Sequence, residues 1–333
     1  MFIIAEVGQA HEGSLGIAHS YIDALANTRV HAVKFQTHIA DAESSIYEPF
    51  RKKFSYEDEK RIDYWRRMEF TPKQWKELKE HCEEKNLEFI SSPFSNAAVD
   101  LLEELNVSRY KIGSGEVTNL LILEKIARTG KPIILSSGMS SFDELDRVFD
   151  FLAQFENEIS ILQCTTAYPT KAEEWGLNVI GELKDRYHVP VGFSDHSGDI
   201  FACLAATALG AEILEFHVVF DKRLFGPDST ASITIDEISR LTNGVQKIRT
   251  SISNPVDKSD NQSFRDLKTI FGKALAINRN LSKGSIIAFS DLEAKKPQSG
   301  GIDAGKYRDV IGKQLTRDLK KWDFLKFEHI EDQ

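Results

Sequence analysis

The chain has 333 residues and a formal net charge of −9, with 41% hydrophobic and 28% charged residues, a mix that excludes a disordered chain. The acidic balance speaks against non-specific nucleic-acid binding, which needs a basic footprint; it leaves room for an anionic small molecule, because a local cluster of lysines overrides the global sign. Three cysteines, Cys82, Cys164 and Cys203, are too few and too irregular for a disulfide framework or a CxxC metal site, which fits a reducing cytoplasm. The first residues, MFIIAEVGQAHEG, show no signal peptide, and no run approaches the roughly 18 apolar residues of a membrane helix.

In chain order, short apolar runs place strands at Phe2–Glu6, Ala32–Gln36, Phe89–Ser92, Tyr110–Gly113, Ile133–Ser136, Ile159–Cys164, Val191–Ser194 and Ile213–His217. Apolar strands alternating with amphipathic helices predict a parallel sheet covered on both faces. Eight such units in about 250 residues predict a (β/α)8 TIM barrel. The alternative is an open doubly wound sheet, but no GxGxxG follows the first strand. Each strand runs into a polar cluster, where barrel enzymes carry their chemistry. The charged, aromatic segment Ile39–Phe70 reads equally as a lid or as a decorated surface helix. Beyond Val245, Ser251–Ser263 reads as a linker, and Ala274–Asn278, Gly284–Ala288 and Phe324–Phe327 as short strands of a β-rich domain. The expected boundaries are a barrel over 1–250, a linker over 251–267 and a small domain over 268–333.

Lys34 and Lys111 stand inside otherwise apolar strands, where an isolated ammonium is costly unless it meets an anion. Ser92, Ser114, Ser136 and Ser194 stand at or just past the ends of four strands and complete a cradle for phosphate and carboxylate. The competing reading pairs the lysines with carboxylates such as Glu6 or Glu116. His196 lies past the seventh strand and His217 at the end of the eighth, with Asp195 and Glu215 close by. Two neutral imidazoles suit Mn, Fe, Co or Zn and leave positions open for water and substrate. His11 is a ligand, an acid or a structural hydrogen-bonder; His19, His31, His38, His81, His188 and His329 read as ordinary. Thr166 and Tyr168 suit a polyhydroxylated substrate, and Asp228 follows a Gly-Pro turn that either holds it in the mouth or is merely stabilised by it.

These strand-end motifs resemble the sialic acid synthase family: IIAEVGQAHEGSL, AVKFQTH, FISSPFS, YKIGSGE, KPIILSSGMSS, CTTAYPT, VGFSDHSG, LEFH and GPDSTAS run in family order from Phe2 to Ser232. The tail resembles the family's SAF (antifreeze-like) domain through KALAINRNLSKGSIIAFSDLEAKKP and IGKQLTRDLKKWD. The resemblance implies condensation of phosphoenolpyruvate with an open-chain amino-sugar aldehyde such as N-acetylmannosamine, giving a nonulosonic acid and phosphate. It implies phosphoenolpyruvate on Lys34, Lys111, Ser92, Ser114, Ser136, Ser194 and Thr166. Mn2+, or else Mg2+ or Co2+, would sit on His196 and His217, and the sugar on Gln36, Glu116, Tyr168, Glu215 and Asp228. Glu6 would lie at the floor of the site, and a metal-bound water or Glu116 would deliver the water. A domain-swapped homodimer is implied as well, with no nucleic-acid or membrane partner.

The sequence departs from the family in four places. Ala10 replaces an asparagine in the first loop. Lys296 stands where an arginine usually reaches the sugar's N-acyl group across the dimer. Phe216 precedes His217 where a basic residue is common, and Ala40–Met68 aligns poorly with the sugar-contacting lid. Lysine lacks arginine's planar fork. The changes point to a sugar other than N-acetylmannosamine, such as a legionaminic- or pseudaminic-type precursor. A phosphorylated sugar, with Arg51, Lys52 and Lys53 as added cations, and a non-catalytic carbohydrate-binding homologue are the other readings.

Overall fold

The computed structural model describes residues 1–50 and 56–331, and Arg51, Lys52 and Lys53 lie outside them. The chain divides into two compact units, Met1–Asn254 and Pro255–Gln333.

In the first unit each apolar run forms a strand: β1 Phe2–Gly8, β2 Ala32–Thr37, β3 Glu88–Pro93, β4 Tyr110–Ile112, β5 Ile133–Ser136, β6 Ile159–Cys164, β7 Val191–Asp195 and β8 Ile213–Val219. Their order is β3-β2-β1-β8-β7-β6-β5-β4, all parallel, and β3 and β4 lie side by side at the seam. The result is a nearly closed (β/α)8 barrel. The chain returns between strands through α1 Leu15–Ala26, α2 Ala40–Glu43, α3 Arg61–Met68, α4 Pro72–Glu84, α5 Asn96–Glu104, α6 Leu120–Ala127, α7 Phe142–Leu152, α8 Val179–Tyr187 and α9 Phe201–Ala208, and closes with α10 Ile235–Ser253. Local chemistry sets where helices start. Thr71 with Gln74, Ser141 with Glu144 and Thr234 with Glu237 form capping boxes at α4, α7 and α10, each satisfying otherwise unpaired N-terminal amides.

Outward-facing strand residues, among them Val33, Phe35, Phe89, Leu135, Phe193, Leu214 and Phe216, pack against the helices in the main core. Phe216 therefore belongs to the helical layer. It does not line the site, so this departure does not act on the sugar directly, contrary to its inclusion among the changes that point to another sugar. No helix of the described residues is long and apolar enough to cross a membrane.

The first loop is held against α3. Arg67 Nη1 reaches Glu12 Oε2 at 3.0 Å and Arg67 Nη2 reaches Asp58 Oδ2 at 2.9 Å. Gly13, at φ +77°, lets the backbone approach: a Cβ there would come within 2.1 Å of Arg67 O. Burial pushes the Glu12 carboxyl up to about 7 in spite of Arg67. A raised carboxyl stabilises the fold fully below its ordinary 4.5, and that stability is lost as pH climbs through about 7. Glu12→Gln is therefore expected to exceed the parent in Tm by about 2–4 °C at pH 8 and to lose that advantage at pH 5, as read by thermal unfolding at both values.

The second unit has its own core, including Leu275, Ile277, Ile302, Leu315, Leu325 and Ile330. An antiparallel pair, Ala274–Ile277 with Leu292–Lys295, carries it, preceded by a short helix, Arg265–Phe271. Gly284–Ala288 and Phe324–Phe327 are not strands as expected: only the isolated bridges Ile286–Gln314 and Ala276–Phe324 form there. These runs sit among tight turns, which leave too little extended backbone for a ladder. The helix α10 also runs to Ser253, into the segment read as linker.

Candidate active site

Side chains alternate along a strand, so every second residue of a barrel strand points inward. Ile4, Ala32, Ile90, Ile134, Leu162 and Ile213 form an inner apolar layer. Two residues further along the same strands stand Glu6, Lys34, Ser92, Ser136, Cys164 and Glu215, all buried. A period of two thus converts six apolar strands into a polar layer one step nearer their C-terminal ends. Lys111 enters from β4 between the outward-facing Tyr110 and Ile112.

The charges of this layer interlock. Lys34 Nζ lies 2.6 Å from Glu6 Oε2 and 3.9 Å from Glu215 Oε1, and donates to Ser92 Oγ at 3.3 Å. Lys111 Nζ donates to Ser136 Oγ at 2.6 Å and to Ile112 O at 3.1 Å, and reaches Glu215 Oε1 at 3.6 Å. Ser194 Oγ donates to that same oxygen at 3.0 Å. The competing pairing holds for Lys34 with Glu6; Glu116 instead accepts from Asn119 Nδ2 at 2.7 Å. The two lysines differ in consequence. Burial opposes the charge of Lys34, but Glu215 and Glu6 outweigh it and hold its value above the ordinary lysine range. Burial of Lys111 is only partly offset by Glu215, and Lys34 repels it, so its value is lowered. Glu215 is held below the carboxylate range, Lys111 and Lys34 outweighing its burial. Lys111 is the under-compensated cation, the one that gains most from an added anion.

Space for that anion is built in. Thr166 Oγ1 is buried without a hydrogen-bond partner, a hydroxyl able to donate to an anion. A Cβ on Gly138 would come within 2.5 Å of both Ser114 Oγ and Thr166 Oγ1, so only glycine keeps the end of β5 open.

Both histidines stand at the rim with ring centroids 5.1 Å apart. His196 Nδ1 lies 3.2 Å from Thr165 O, which can only accept, so that nitrogen carries the hydrogen and Nε2 is left with its lone pair. Burial, then the neighbouring His217, takes His196 down to about 3, which keeps it neutral at neutral pH. His217 Nδ1 lies 3.9 Å from Asp228 Oδ2, and the Tyr168 ring is 4.4 Å from His196. Among the described residues no cluster of three or more His, Cys, Asp or Glu suits a metal. The two imidazoles fit an ion that draws its remaining ligands from water and substrate.

One cavity of about 850 Å³ gathers every residue assigned to the site above except Lys296. Lys296 lies in the second unit, its ammonium 5.1 Å from the Phe271 ring centre. Asp195 is turned away, bonding Ser197, with burial pushing its carboxyl up to about 6. His11 is structural: its Nδ1 accepts from Gly13 N at 3.0 Å, and its ring packs on Phe70. Ala10 packs against the main core outside the cavity.

The outer wall corrects the reading of His38 as ordinary. His38, Glu43, Glu48, Arg61 and Trp65 all line the cavity, so part of Ile39–Phe70 forms its wall. Trp65 Nε1 donates to Glu48 Oε2 at 3.0 Å, and the Arg61 guanidinium lies 4.1 Å from the Trp65 ring centre. The missed signal was the polar side of β2: Lys34, Gln36 and His38 continue one inward alternation.

A family model described as the NeuB family matches residues 21–257. The N,N'-diacetyllegionaminic acid synthase of Campylobacter jejuni subsp. jejuni is 34% identical over 330 residues, 97% of this chain and 98% of that one. The N-acetylneuraminate-9-phosphate synthase of Homo sapiens is 30% identical over 99% of this chain and 92% of its own. The crystal structure of the N-acetylneuraminic acid (sialic acid) synthetase of Leptospira borgpetersenii serovar Hardjo-bovis in complex with citrate matches with TM-score 0.70 and 31% identity, over 80% of this chain and 89% of that one. The barrel carrying this cavity thus belongs to a chain of the NeuB family, the sialic acid synthases.

Proposed function

We propose that the protein condenses phosphoenolpyruvate with an open-chain acetamido-sugar aldehyde, giving a nine-carbon 2-keto acid and phosphate. The observation that carries this is the pairing, in one cavity, of an under-compensated buried lysine with two imidazoles, one of them held neutral. Lys34, Lys111, Ser92, Ser114, Ser136, Ser194 and Thr166 hold the phosphate and carboxylate, and Gln36, Glu116, Tyr168, Glu215 and Asp228 face the sugar. Lysines and serines fix the enol phosphate so that its C3 meets the aldehyde carbon, and orientation of this kind is worth up to about 7–11 kcal/mol. C3 attacks, the aldehyde oxygen takes a proton, water adds at C2 with loss of one proton, and the C2–O bond to phosphate breaks as the new C2 hydroxyl gives its proton to the leaving phosphate and becomes the keto oxygen. Glu116, its carboxyl raised by burial, is placed to exchange protons at the sugar end. A divalent ion, Mn2+ first, would be held by His196 and His217 and would supply Lewis acidity toward the aldehyde oxygen.

The legionaminic relative, at 34% identity, favours a diacetamido hexose over N-acetylmannosamine. We read the unit Pro255–Gln333 as an SAF domain and the active form as a homodimer, with Lys296 serving the sugar of another copy. The test is phosphate release and product mass with phosphoenolpyruvate, Mn2+ and a panel of aldehydes: N-acetylmannosamine, its 6-phosphate and a diacetamido hexose. The diacetamido hexose is expected to give the highest kcat/KM. Preference for the phosphorylated sugar overturns the choice of sugar, and no release with any of them overturns the reaction.

A further inference from the structure

The mechanism above leaves His38 unused, although it lines the cavity and is only 2% exposed. Its ring is stacked between Trp65, with centroids 4.0 Å apart, and Phe94, at 4.7 Å and 9°. Nδ1 lies 2.7 Å from Glu43 Oε1, and Nε2 lies 3.1 Å from Gln36 Oε1. Neighbours fix which end of the Gln36 amide is which. Its Nε2 donates to Glu6 Oε1 at 2.8 Å, and a carboxylate paired with Lys34 can only accept. Its Oε1 accepts from Gln9 Nε2 at 3.1 Å, and Gln9 Oε1 in turn accepts from Tyr64 at 2.7 Å. The atom facing Nε2 is therefore an acceptor, so Nε2 donates to it, while Nδ1 is held by the Glu43 carboxyl at 2.7 Å.

We propose that His38 is a positioning residue for the sugar. Clamped by Glu43 and two aromatic rings, it takes the second lone pair of Gln36 Oε1, the first being taken by Gln9. Gln36 is left with one free N–H, so it meets the substrate only as a donor, toward a sugar oxygen. Glu43 from α2 and Trp65 from α3 thereby set the amide of a barrel strand, which gives Ile39–Phe70 a part in recognition. The identity of the ligand rests on the proposed reaction; the clamp on Gln36 does not.

His38→Phe keeps a flat ring between Trp65 and Phe94 and removes both hydrogen bonds, while His38→Gln keeps an amide donor without the ring. In 15N-labelled full-length protein, with the Gln36 side-chain amide assigned by its loss in Gln36→Ala, His38→Phe is expected to shift that resonance pair and His38→Gln to shift it less. In turnover with phosphoenolpyruvate and a diacetamido hexose, His38→Phe is expected to raise the sugar KM about tenfold, the worth of one well-placed hydrogen bond, with the phosphoenolpyruvate KM unchanged. Adding His38→Phe to Gln36→Ala is expected to change nothing further, because His38 acts through Gln36. An unmoved Gln36 amide in folded His38→Phe, or in His38→Gln should the first variant not fold, overturns the proposal. So do additive effects in the double variant. Absence of turnover in the parent protein overturns the proposed reaction alone, and the amide resonances still decide on the clamp.

Discussion

Lys111→Met is expected to raise the KM for phosphoenolpyruvate about a hundredfold or more while leaving the protein folded. Removing one partner of a buried hydrogen-bonded charge pair costs about 2–5 kcal/mol of binding, and each 1.4 kcal/mol is tenfold. Lys111 is the cation to lose, because Glu215 at 3.6 Å is its nearest carboxylate and also faces Lys34. Stability should move the other way. Burial outweighs the partners of Lys111 and lowers its value from 10.5, so its charged form costs the native state free energy. That cost is fully present below the lowered value, where the lysine is protonated folded and unfolded alike. It is relieved as pH rises through the lowered value toward 10.5. Methionine fills similar volume without charge, and Glu215 keeps Ser194 at 3.0 Å and Lys34. The variant is therefore expected to match or slightly exceed the parent in Tm at pH 7 and to lose any advantage at high pH. Calorimetric titration with phosphoenolpyruvate and thermal scans at both pH values check it. A phosphoenolpyruvate KM within threefold of the parent removes Lys111 from the anion site.

The barrel was legible because its strands obey one period. Ile4 then Glu6, Ala32 then Lys34, Ile90 then Ser92 and Ile213 then Glu215 each place a polar residue one inward step beyond an apolar one. That alternation is local and survives without knowledge of the fold. The wall of the cavity was not legible, because it depends on contacts between distant segments. His38 reads as an isolated polar residue until Trp65, Phe94 and Glu43 are brought against it. Arg61 and Glu48 belong to a charged stretch whose composition equally suits a solvated surface. Asp195 shows the opposite error, since a carboxylate next to His196 in sequence points to the other side of the strand and serves the turn at Ser197. Phe216 is turned outward by the same alternation that aims Glu215 and His217 inward. Applied at the ends of β7 and β8, the period of two would have sorted all four.

His217→Ala is expected to lower kcat by about a thousandfold or more and to abolish tight binding of Mn2+, with phosphoenolpyruvate still bound. Losing Lewis-acid stabilisation of a developing oxyanion costs several kcal/mol, and about 4 kcal/mol corresponds to that factor. The fold should tolerate the change. His217 stands at the end of β8, pairs in register with Glu6 on β1 and borders the open cavity, so water can enter the space left by the ring. The inner layer below it, from Ile4 to Ile213, is untouched. His196 is expected to behave alike, because two imidazoles would lose their function together if they act as one ligand set. The double variant should then be no worse than either single one. Metal content after dialysis, phosphoenolpyruvate-dependent phosphate release and calorimetric titration with phosphoenolpyruvate separate the roles. A variant that keeps full turnover in the presence of a chelator shows that these histidines do not hold a catalytic ion. Losses that multiply in the double variant assign the two rings independent tasks instead.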